Sequence, residues 1–351
     1  MKVMTIIGAR PQFIKASVVS KALRNQGVKE ILVNTGQHYD DNMAKIFFEE
    51  MGIPRPDYNL GVGSGTHAAQ TSASLVGIEN IILDEKPDAL IVYGDTNATI
   101  AGALAASKLH LKLIHIEAGL RSYNRQMPEE INRIVTDVLS DLLFVPTQIA
   151  VDNLKKEGIV NGVHIVGDVM VDALMEYTEV AETKSDILDR LAIEKKSYVL
   201  LTIHRPSNAD NNERIAKILE QVAASKLPVI FPVHPRSRKS AESLIEKVSD
   251  HVRLIDPVGY LDMMLLEKYA KMIVTDSGGV QKEAYLHKTP CLTVRGETEW
   301  LETVRDGWNY LVGDNLEDIS QLMAQFPEPK AWHSHYGDGH AAERIVKILM
   351  S

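Results

Sequence analysis

Acidic side chains follow two apolar segments in the first half of the chain, at the point where each segment ends. Asp95 comes soon after the apolar run Ala89–Tyr93, and Glu117 comes directly after Leu113–Ile116. Glu129 follows a short distance further along. Paired carboxylates can remove and return protons, which is general acid–base chemistry. The structural alternatives are a helix N-cap for the first carboxylate and an ion pair four residues along a helix for the third.

Cationic or ionisable side chains follow other apolar segments in the same way. They are Arg10, Lys15, His204, Arg205 and His234. The N-terminus of a helix already favours anions, and nearby cations add to that preference. Solvated cations in ordinary strand-to-helix turns and packed histidines are the structural alternatives. Two basic turns that contain histidine, on successive predicted strands, indicate an anionic ligand.

The segment Thr275–Glu283 gives the strongest local signal for such a ligand. It follows an apolar run and opens a helical pattern, and Ser277, Gly278 and Gly279 would let backbone amides approach a phosphate closely. Glu283 lies about one turn into the helix, where a carboxylate can bind ribose hydroxyls. We therefore predict a nucleotide diphosphate site. The segment matches neither a Walker A loop nor the dinucleotide glycine fingerprint, so a nicotinamide-dependent dehydrogenase is a poor interpretation.

Short apolar runs alternate with amphipathic helical patterns along the whole chain, which predicts parallel sheets covered by helices on both faces. The predicted strands are Val3–Ile7, Ile31–Asn34, Ala89–Tyr93, Leu113–Ile116, Leu142–Val145, Tyr198–Thr202, Val229–Phe231, Val252–Ile255, Met272–Thr275 and Cys291–Val294. The predicted helices include Phe13–Leu23, Asn42–Met51, Ala68–Leu83, Ala98–Leu109, Pro128–Leu139 and a last helix, Ala341–Leu349.

The strand and helix pattern pauses near Val163–Val171 and then begins again, which predicts two doubly wound, Rossmann-like domains of the α/β class. We expect a first domain over 1–168 that carries the acid/base carboxylates, a nucleotide-binding domain over 169–335 and a C-terminal helix over 336–351. Ligands of open α/β sheets bind outside the carboxyl ends of the strands. The strand-end residues should therefore open into a cleft between the two domains.

The composition agrees with this organisation and excludes some classes of protein. The chain has 351 residues, of which 45% are hydrophobic, and this is enough for two buried cores. The net charge of −9 argues against a nucleic-acid-binding protein, although a local cationic pocket would suffice for a phosphorylated ligand. The single cysteine, Cys291, fits a reducing compartment. Because we find neither a signal peptide nor an apolar run of about 18 residues, we expect a cytoplasmic protein without membrane contact.

Five motifs, in their order and spacing, resemble one known family over essentially the full length of the chain. The motifs are Gly8–Pro11, Tyr93–Thr96, His115–Arg121, Pro128–Arg133 and Thr275–Gly279. They look like those of the non-hydrolysing UDP-N-acetylglucosamine 2-epimerases. The resemblance implies a glycosyltransferase-B-type fold of two Rossmann-like domains, an active cleft between them and a homodimer. It also implies a last helix that packs back onto the first domain.

The resemblance implies a reaction in which a base removes the proton at carbon 2 of the sugar while UDP leaves carbon 1. UDP then adds back to the resulting 2-acetamidoglucal, with protonation on the opposite face. Implied roles are acid/base chemistry for Asp95, Glu117 and Glu129, stabilisation of the departing diphosphate for His204, and UDP binding for Arg10, Lys15, Arg205, His234, Ser277, Gly278, Gly279 and Glu283. No metal and no cofactor are implied. Which carboxylate serves which face of the sugar stays open.

Three departures from the common family pattern bear on the substrate. Gln12 stands where the common enzymes carry Glu, Pro206-Ser207 interrupts the usual pattern after His204-Arg205, and Trp300 replaces an Arg that contacts UDP. The Arg-Pro-Gln start and the Thr-Glu-Trp ending resemble a branch that epimerises UDP-2,3-diacetamido-2,3-dideoxyglucuronate, a precursor of O-antigen and capsule. That substrate is the alternative to UDP-N-acetylglucosamine. A retaining glycosyltransferase, a non-catalytic UDP-sugar sensor and a hydrolysing epimerase are the alternatives of other classes.

Overall fold

A computed structural model of the chain describes residues 1–36, 55–233, 241–242 and 251–351, with only the backbone of Arg10 and Pro206. The described chain divides into two compact units, Met1–Tyr177 with Ser334–Ser351, and Thr178–His333. The domain limits expected from the sequence, at 168/169 and 335/336, stay predictions. The predicted helix Asn42–Met51 and the predicted site residue His234 lie outside the described residues.

The first unit is built on a parallel sheet of seven described strands in the order β3-β2-β1-β4-β5-β6-β7. Its strands are β1 (Lys2–Ile7), β2 (Lys29–Asn34), β3 (Tyr58–Asn59), β4 (Ala89–Tyr93), β5 (Lys112–Ile116), β6 (Leu142–Val145) and β7 (Val163–Ile165). The central strand β4 is buried at all five positions, as expected for a strand covered on both faces. The strand order reverses between β1 and β4, so this pair marks the switch point where open α/β sheets bind their ligands.

Helices connect these strands and cover the sheet of the first unit. They are α1 (Arg10–Asn25), α2 (His67–Glu85), α3 (Asn97–Lys108), α4 (Pro128–Leu139) and α5 (Gln148–Lys156). The next helix, α6 (Val169–Lys184), follows β7 and crosses the boundary between the units at Tyr177 and Thr178. Helix α3 lies against the sheet so closely that a Cβ atom on Gly102 would be 2.9 Å from Cγ1 of Val92. Its alanine-rich buried face permits this close packing, which fixes the helix start next to Asp95.

The C-terminal segment returns to the first unit. Its helix α14 (Ala341–Met350) packs on α1. The carboxylate of Asp172 on α6 accepts hydrogen bonds from the backbone N–H groups of Ala341 (3.1 Å) and Ala342 (2.7 Å). Because these N–H groups have no partner within their own helix, the carboxylate acts as a cap supplied by a distant element.

The second unit holds a parallel sheet of six described strands in the order β10-β9-β8-β11-β12-β13. Its strands are β8 (Val199–Thr202), β9 (Val229–Pro232), β10 (Val252–Ile255), β11 (Met272–Thr275), β12 (Cys291–Thr293) and β13 (Asn309–Leu311). Its described helices are α7 (Ile187–Arg190), α8 (Pro206–Ala209), α9 (Asn212–Ala223), α10 (Tyr260–Tyr269), α11 (Gly278–Leu286), α12 (Leu301–Arg305) and α13 (Asp318–Ala324). The strand order reverses between β8 and β11.

The two parallel sheets, each with connecting helices, confirm the predicted α/β class with two Rossmann-like units. Ten strands were predicted within two residues of their observed ends. The short strands β3, β7 and β13 were not predicted, because two or three residues are too few for a periodic pattern. No helix of the described residues is long and apolar enough to cross a membrane.

Candidate active site

The turn after β1 is held by Gln12, which is almost completely buried. Its side-chain oxygen accepts hydrogen bonds from the backbone N–H groups of Gly8 (2.8 Å) and Ala9 (3.1 Å). Its amide nitrogen donates to the carbonyl of Tyr93 (2.8 Å) and to Thr99 Oγ1 (3.0 Å). A carboxylate could not donate to that carbonyl, so the Gln is matched to this position. Gln12 therefore ties the first turn to the end of β4, which carries Gly94 and Asp95.

Glu117 and Lys15 form a buried ion pair at the ends of β5 and β1. Their side chains are 8% and 9% exposed. A Cβ atom on Gly94 would lie 3.3 Å from Oε2 of Glu117 and 3.5 Å from Nζ of Lys15, so the ion pair lies directly against the turn after β4. The backbone of Glu117 is left-handed, with φ of +69°, which is unfavourable for a residue with a side chain. The fold thus holds this carboxylate in place at a cost in backbone energy.

Asp95 is held by residues of helix α4. Arg133 NH2 donates to Asp95 Oδ2 at 2.5 Å, and Asn132 Nδ2 donates to the backbone carbonyl of Asp95 at 2.9 Å. The Asp95 side chain is one-third exposed, whereas that of Arg133 is buried. The N-cap of α3 is Thr96, so the structural alternative of a helix cap for Asp95 is wrong. A partly exposed carboxylate held by a buried guanidinium is suited to proton transfer to a ligand.

Glu129 and Glu130 follow each other at the start of α4 but have different surroundings. Glu130 is buried, and its carboxylate accepts hydrogen bonds from the backbone N–H groups of Ser122 (2.9 Å) and Tyr123 (3.0 Å). Arg133 NH1 lies 3.2 Å from Oε2 of Glu130. Glu129 is half-buried. Arg133 therefore bridges Glu130 and Asp95. Glu130 stabilises the preceding loop, and Glu129 stays the candidate for chemistry.

In the second unit, Asp276 organises the turn after β8. This fully buried carboxylate accepts hydrogen bonds from the backbone N–H groups of His204 (3.1 Å) and Arg205 (3.0 Å) and from Asn208 Nδ2 (3.0 Å). The Nδ1 atom of His204 lies 3.2 Å from Asp276 Oδ1. Burial alone would raise the pKa of Asp276, but its bonds to His204, Asn208 and Arg205 outweigh burial and lower the pKa. The ring of His204 is 62% exposed, and the ionised carboxylate of the buried Asp276 orients it through Nδ1.

Helix α11 begins directly after β11, at the switch point of the second sheet. Its N-cap is Ser277, whose hydroxyl accepts from the N–H of Val280 at 3.4 Å. Gly278 begins the helix, and a Cβ atom there would meet Glu299 Oε2 at 3.6 Å and the indole nitrogen of Trp300 at 3.8 Å. Trp300 is buried, with Nζ of Lys282 4.2 Å from its ring centroid. Gly279 lies in the first turn, and Glu283 is buried further along the same helix.

The sequence-predicted residues thus fall into one group in each unit. Asp95, Glu117, Lys15 and Glu129 belong to the first unit, where Arg10 is the first residue of α1. His204, Arg205, Ser277, Gly278, Gly279 and Glu283 belong to the second unit. Sequence reasoning missed Arg133 and Asp276 as supports of Asp95 and His204. Their signal was present, because both are charged residues within motifs that the sequence analysis had already identified.

Comparison with known proteins shows the family to which the chain belongs. Residues 21–350 match the family model described as UDP-N-acetylglucosamine 2-epimerase. The chain belongs to this family. The resemblance noted from the sequence is therefore confirmed, and with it the prediction that the chain is a sugar-nucleotide 2-epimerase.

Members of the UDP-N-acetylglucosamine 2-epimerase family match the chain from end to end. A Methanococcus maripaludis protein described as a UDP-N-acetylglucosamine 2-epimerase homolog is 54% identical over 99% of both chains. The UDP-2,3-diacetamido-2,3-dideoxy-D-glucuronate 2-epimerase of Pseudomonas aeruginosa is 48% identical, also over 99% of both chains. The structure of Methanocaldococcus jannaschii UDP-GlcNAc 2-epimerase in complex with UDP-GlcNAc and UDP has a TM-score of 0.93 at 44% identity and covers 100% of this chain and 99% of that chain.

Proposed function

We propose that this epimerase interconverts UDP-N-acetylglucosamine and UDP-N-acetylmannosamine. A base takes the proton from carbon 2, the bond between carbon 1 and the UDP oxygen breaks, and the electron pair of the C–H bond forms the double bond of 2-acetamidoglucal. UDP leaves with the electrons of the broken bond. In the second half of the reaction UDP adds back to carbon 1, and a second acid protonates carbon 2 from the opposite face. Protons lost and gained balance, and no redox step occurs.

The observation that carries this proposal is the pair of carboxylates at adjoining strand ends of the first sheet. Glu117 follows β5 and Asp95 follows β4, and each carboxylate is paired with a buried cation, Lys15 or Arg133. A paired cation holds a carboxylate in place, and a carboxylate oxygen can accept a proton from a ligand. Two such groups are needed, because inversion requires proton removal and proton delivery on opposite faces of the ring. Glu129 is our third candidate for this chemistry.

We assign the diphosphate to the second group of residues and to the two cations near β1. The first turn of α11, at Ser277, Gly278 and Gly279, offers the amide-rich environment that favours phosphate. His204 would donate to the departing diphosphate, with Asp276 holding its ring. Glu283 would bind the ribose. Further cationic or donor groups for UDP are Arg10, Lys15, Arg205 and His234.

UDP-2,3-diacetamido-2,3-dideoxyglucuronate is our second candidate substrate. The Pseudomonas aeruginosa enzyme named for this sugar is 48% identical to the chain, while the Methanocaldococcus jannaschii enzyme named for UDP-N-acetylglucosamine is 45% identical. Of the departures noted in the sequence, Gln12 is buried and bonded to the backbone of Gly8 and of Tyr93, so it bears on substrate choice only indirectly. Trp300 lies beside the first turn of α11 and is the departure that we expect to act on the ligand.

The test is to incubate the purified enzyme with each UDP-sugar alone and to follow the products by nuclear magnetic resonance. A second UDP-sugar with inverted carbon 2 supports the proposal, and the substrate that reacts with the higher kcat/KM identifies the branch. A free sugar would indicate a hydrolysing epimerase. Recovery of unchanged substrate in both incubations would contradict epimerisation and favour a glycosyltransferase or a sensor.

We further propose that the enzyme acts as a homodimer in the cytoplasm. Helix α4 buries the polar residues Glu130, Asn132, Arg133, Thr136 and Asp137 within the first unit. It exposes apolar ones instead, among them Ile131 (49% exposed) and Val138 (64%). A helix whose apolar stripe faces outward is expected to bury that stripe against a partner. The cytoplasmic location is supported by Cys291, a buried free thiol and the only cysteine of the chain.

A further inference from the structure

His115 lies next to the two turns that carry Asp95 and Glu117. It is a polar, ionisable residue that is fully buried in an otherwise mostly apolar strand, and this needs an explanation. It is the fourth residue of β5, between β4 and β6, and its side chain is 0% exposed. The positions around it in this sheet are mostly apolar. A buried imidazole without partners would be costly, so the atoms that face its two ring nitrogens define its role.

Both ring nitrogens of His115 face hydrogen-bond acceptors. Nε2 lies 2.8 Å from the carbonyl oxygen of Gly94, and Nδ1 lies 2.7 Å from Oδ1 of Asp137. A carbonyl oxygen only accepts, so Nε2 must carry a proton. The other oxygen of Asp137 accepts from the N–H of Gly119 (3.1 Å) and from Arg121 NH1 (2.7 Å), which is the environment of an ionised carboxylate. Nδ1 must therefore also carry a proton, and the ring is an imidazolium.

Two positive and two negative side chains, including this imidazolium, form one hydrogen-bonded network. Arg121 donates to Asp137 and also, through two nitrogens, to the carboxylate of Glu157 at 2.8 and 2.6 Å. His115 and Arg121 are the two cations, and Asp137 and Glu157 are the two anions. A buried ion network is stable when every member is paired and hydrogen-bonded, and it is strongly destabilised when one member is removed. The pairing thus accounts for a histidine with two ring protons inside a sheet.

The imidazolium network joins two turns of left-handed backbone, a conformation that is unfavourable for Glu117 but not for the two glycines. Gly94, Glu117 and Gly119 all have left-handed backbones, with φ of +59°, +69° and +78°. A Cβ atom on Gly119 would lie 2.7 Å from the carbonyl oxygen of Ala150, so only glycine fits there. His115 binds the carbonyl of Gly94 directly and the N–H of Gly119 through Asp137. Strained turns persist only where their surroundings hold them, and these two bonds supply that support on each side of the carboxylate pair.

We propose that His115, held doubly protonated by Asp137, is a positioning residue that fixes the relative placement of Asp95 and Glu117 for proton transfer at carbon 2. The proposal rests on the proposed function for its kinetic consequence, but not for the protonation of the ring. A displacement of about 1 Å of a catalytic group is enough to lower turnover roughly 100-fold. Binding of UDP, assigned largely to other residues, should change little.

The kinetic test uses His115→Gln, with His164→Gln as the matched control. Gln can still donate one hydrogen bond toward Gly94, but it brings no positive charge to Asp137. His164 belongs to β7 of the same sheet, is half-buried and touches the ring of Phe144. We expect kcat of His115→Gln to fall about 100-fold with little change in KM, and His164→Gln to behave as wild type. A folded His115→Gln enzyme with wild-type kcat would overturn the positioning role, as would a loss confined to KM.

A second measurement reads the ring directly and does not depend on activity. In protein labelled with nitrogen-15 at histidine, we expect one imidazole to show two slowly exchanging N–H protons, one that faces Gly94 and one that faces Asp137. Asp137→Asn removes the ionised acceptor at Nδ1, so we expect that ring to keep only the proton that faces Gly94. A wild-type ring at this position with a single N–H would contradict the proposal even if the enzyme is active. An inactive wild-type enzyme whose ring carries both protons would instead contradict the proposed function.

Discussion

At the scale of single residues, the carboxylates proposed for catalysis are held by cations that come from other elements. Lys15 on α1 pairs with Glu117 after β5, and Arg133 on α4 pairs with Asp95 after β4. In both cases the cation is more deeply placed than a solvated surface lysine or arginine would be. The cations orient the carboxylates, while the fold leaves Asp95 one-third exposed to a ligand.

We predict that Asp95→Asn and Glu117→Gln each lower kcat by about 100-fold to 10,000-fold while the protein stays folded. Each amide keeps an oxygen that can accept from Arg133 or Lys15, so the contact survives, but an amide cannot take up and return the proton. Steady-state kinetics and circular dichroism measure the two properties. Asp84→Asn, at an exposed position on α2, is the matched control and should leave kcat unchanged. Losses of only a few-fold in both site variants would place these carboxylates among the structural residues.

The residue types of the site could be read from the sequence, but their partners could not. Asp95 and Glu117 stood out because each follows an apolar strand. Arg133 contacts Asp95 because α4 packs against α3. No local sequence pattern encodes this packing. His115 was visible as the first residue of the motif His115–Arg121, but its role was not, because its partner Asp137 lies 22 residues further along.

At the scale of elements, the cap of the last helix joins sequence-distant segments. Asp172 on α6 accepts the first N–H groups of α14, whose start lies 169 residues further along the chain. Burial raises the pKa of Asp172 to about 6, and nearby Asp168 adds to the rise, although the two backbone N–H groups oppose it. The cap is therefore formed by a carboxylate that gains a proton more readily in the folded protein than in the unfolded chain.

This raised pKa predicts a specific pH dependence of stability. Between about pH 4 and pH 6 the folded state binds more protons at Asp172 than the unfolded state, so the stabilising contribution is complete at low pH and is lost as the pH rises through about 6. Asp172→Asn removes this titration. On lowering the pH from about 7 to about 5, the wild type should gain roughly 1 kcal/mol in free energy of unfolding relative to Asp172→Asn. Urea unfolding of both proteins at the two pH values measures the difference. An equal or opposite response would show that Asp172 does not titrate in this range.

Elements with a periodic apolar pattern were predictable, and elements defined by contacts were not. The long buried strands and the helices between them followed from alternating apolar runs. Strand β13 was missed because its three residues begin with Asn309, whose polar side chain is satisfied by Thr293 and Gln281 inside the protein. Helix α4 was predicted at its observed limits, but amphipathicity alone would have placed its apolar stripe inward. The ion pairs of the site instead draw its polar face into the protein.

At the scale of the whole molecule, the exposed apolar stripe of α4 indicates that the chain binds a partner chain. Helix α2 also packs on α3, and it exposes Val76 (60%) and Leu83 (52%). Both helices that pack on α3 therefore expose large apolar side chains, which a partner chain would be expected to cover. Because the polar face of the same helix carries Arg133 and Asp137, a partner on the apolar side would also stabilise the supports of the site.

We predict that Val138→Glu converts the homodimer to a monomer, because a charge within an apolar contact loses its hydration without gaining a partner. Val160→Glu is the matched control, since Val160 is 61% exposed but lies in the turn after α5. Analytical ultracentrifugation measures the mass of both variants and of the wild type. A wild type that sediments as a monomer, or a Val138→Glu variant that stays dimeric, would be incompatible with an interface at this stripe.

The proposed mechanism requires proton exchange at carbon 2 of a UDP-linked sugar, with the carboxylates near β4 and β5 as acid and base. The most direct measurement is to run the reaction in deuterated water and to examine the product by nuclear magnetic resonance. Because the proton removed from carbon 2 and the proton returned belong to different groups, we expect the epimerised UDP-sugar to carry deuterium at carbon 2. Epimerised product that keeps its original hydrogen at carbon 2 would contradict the proposed mechanism.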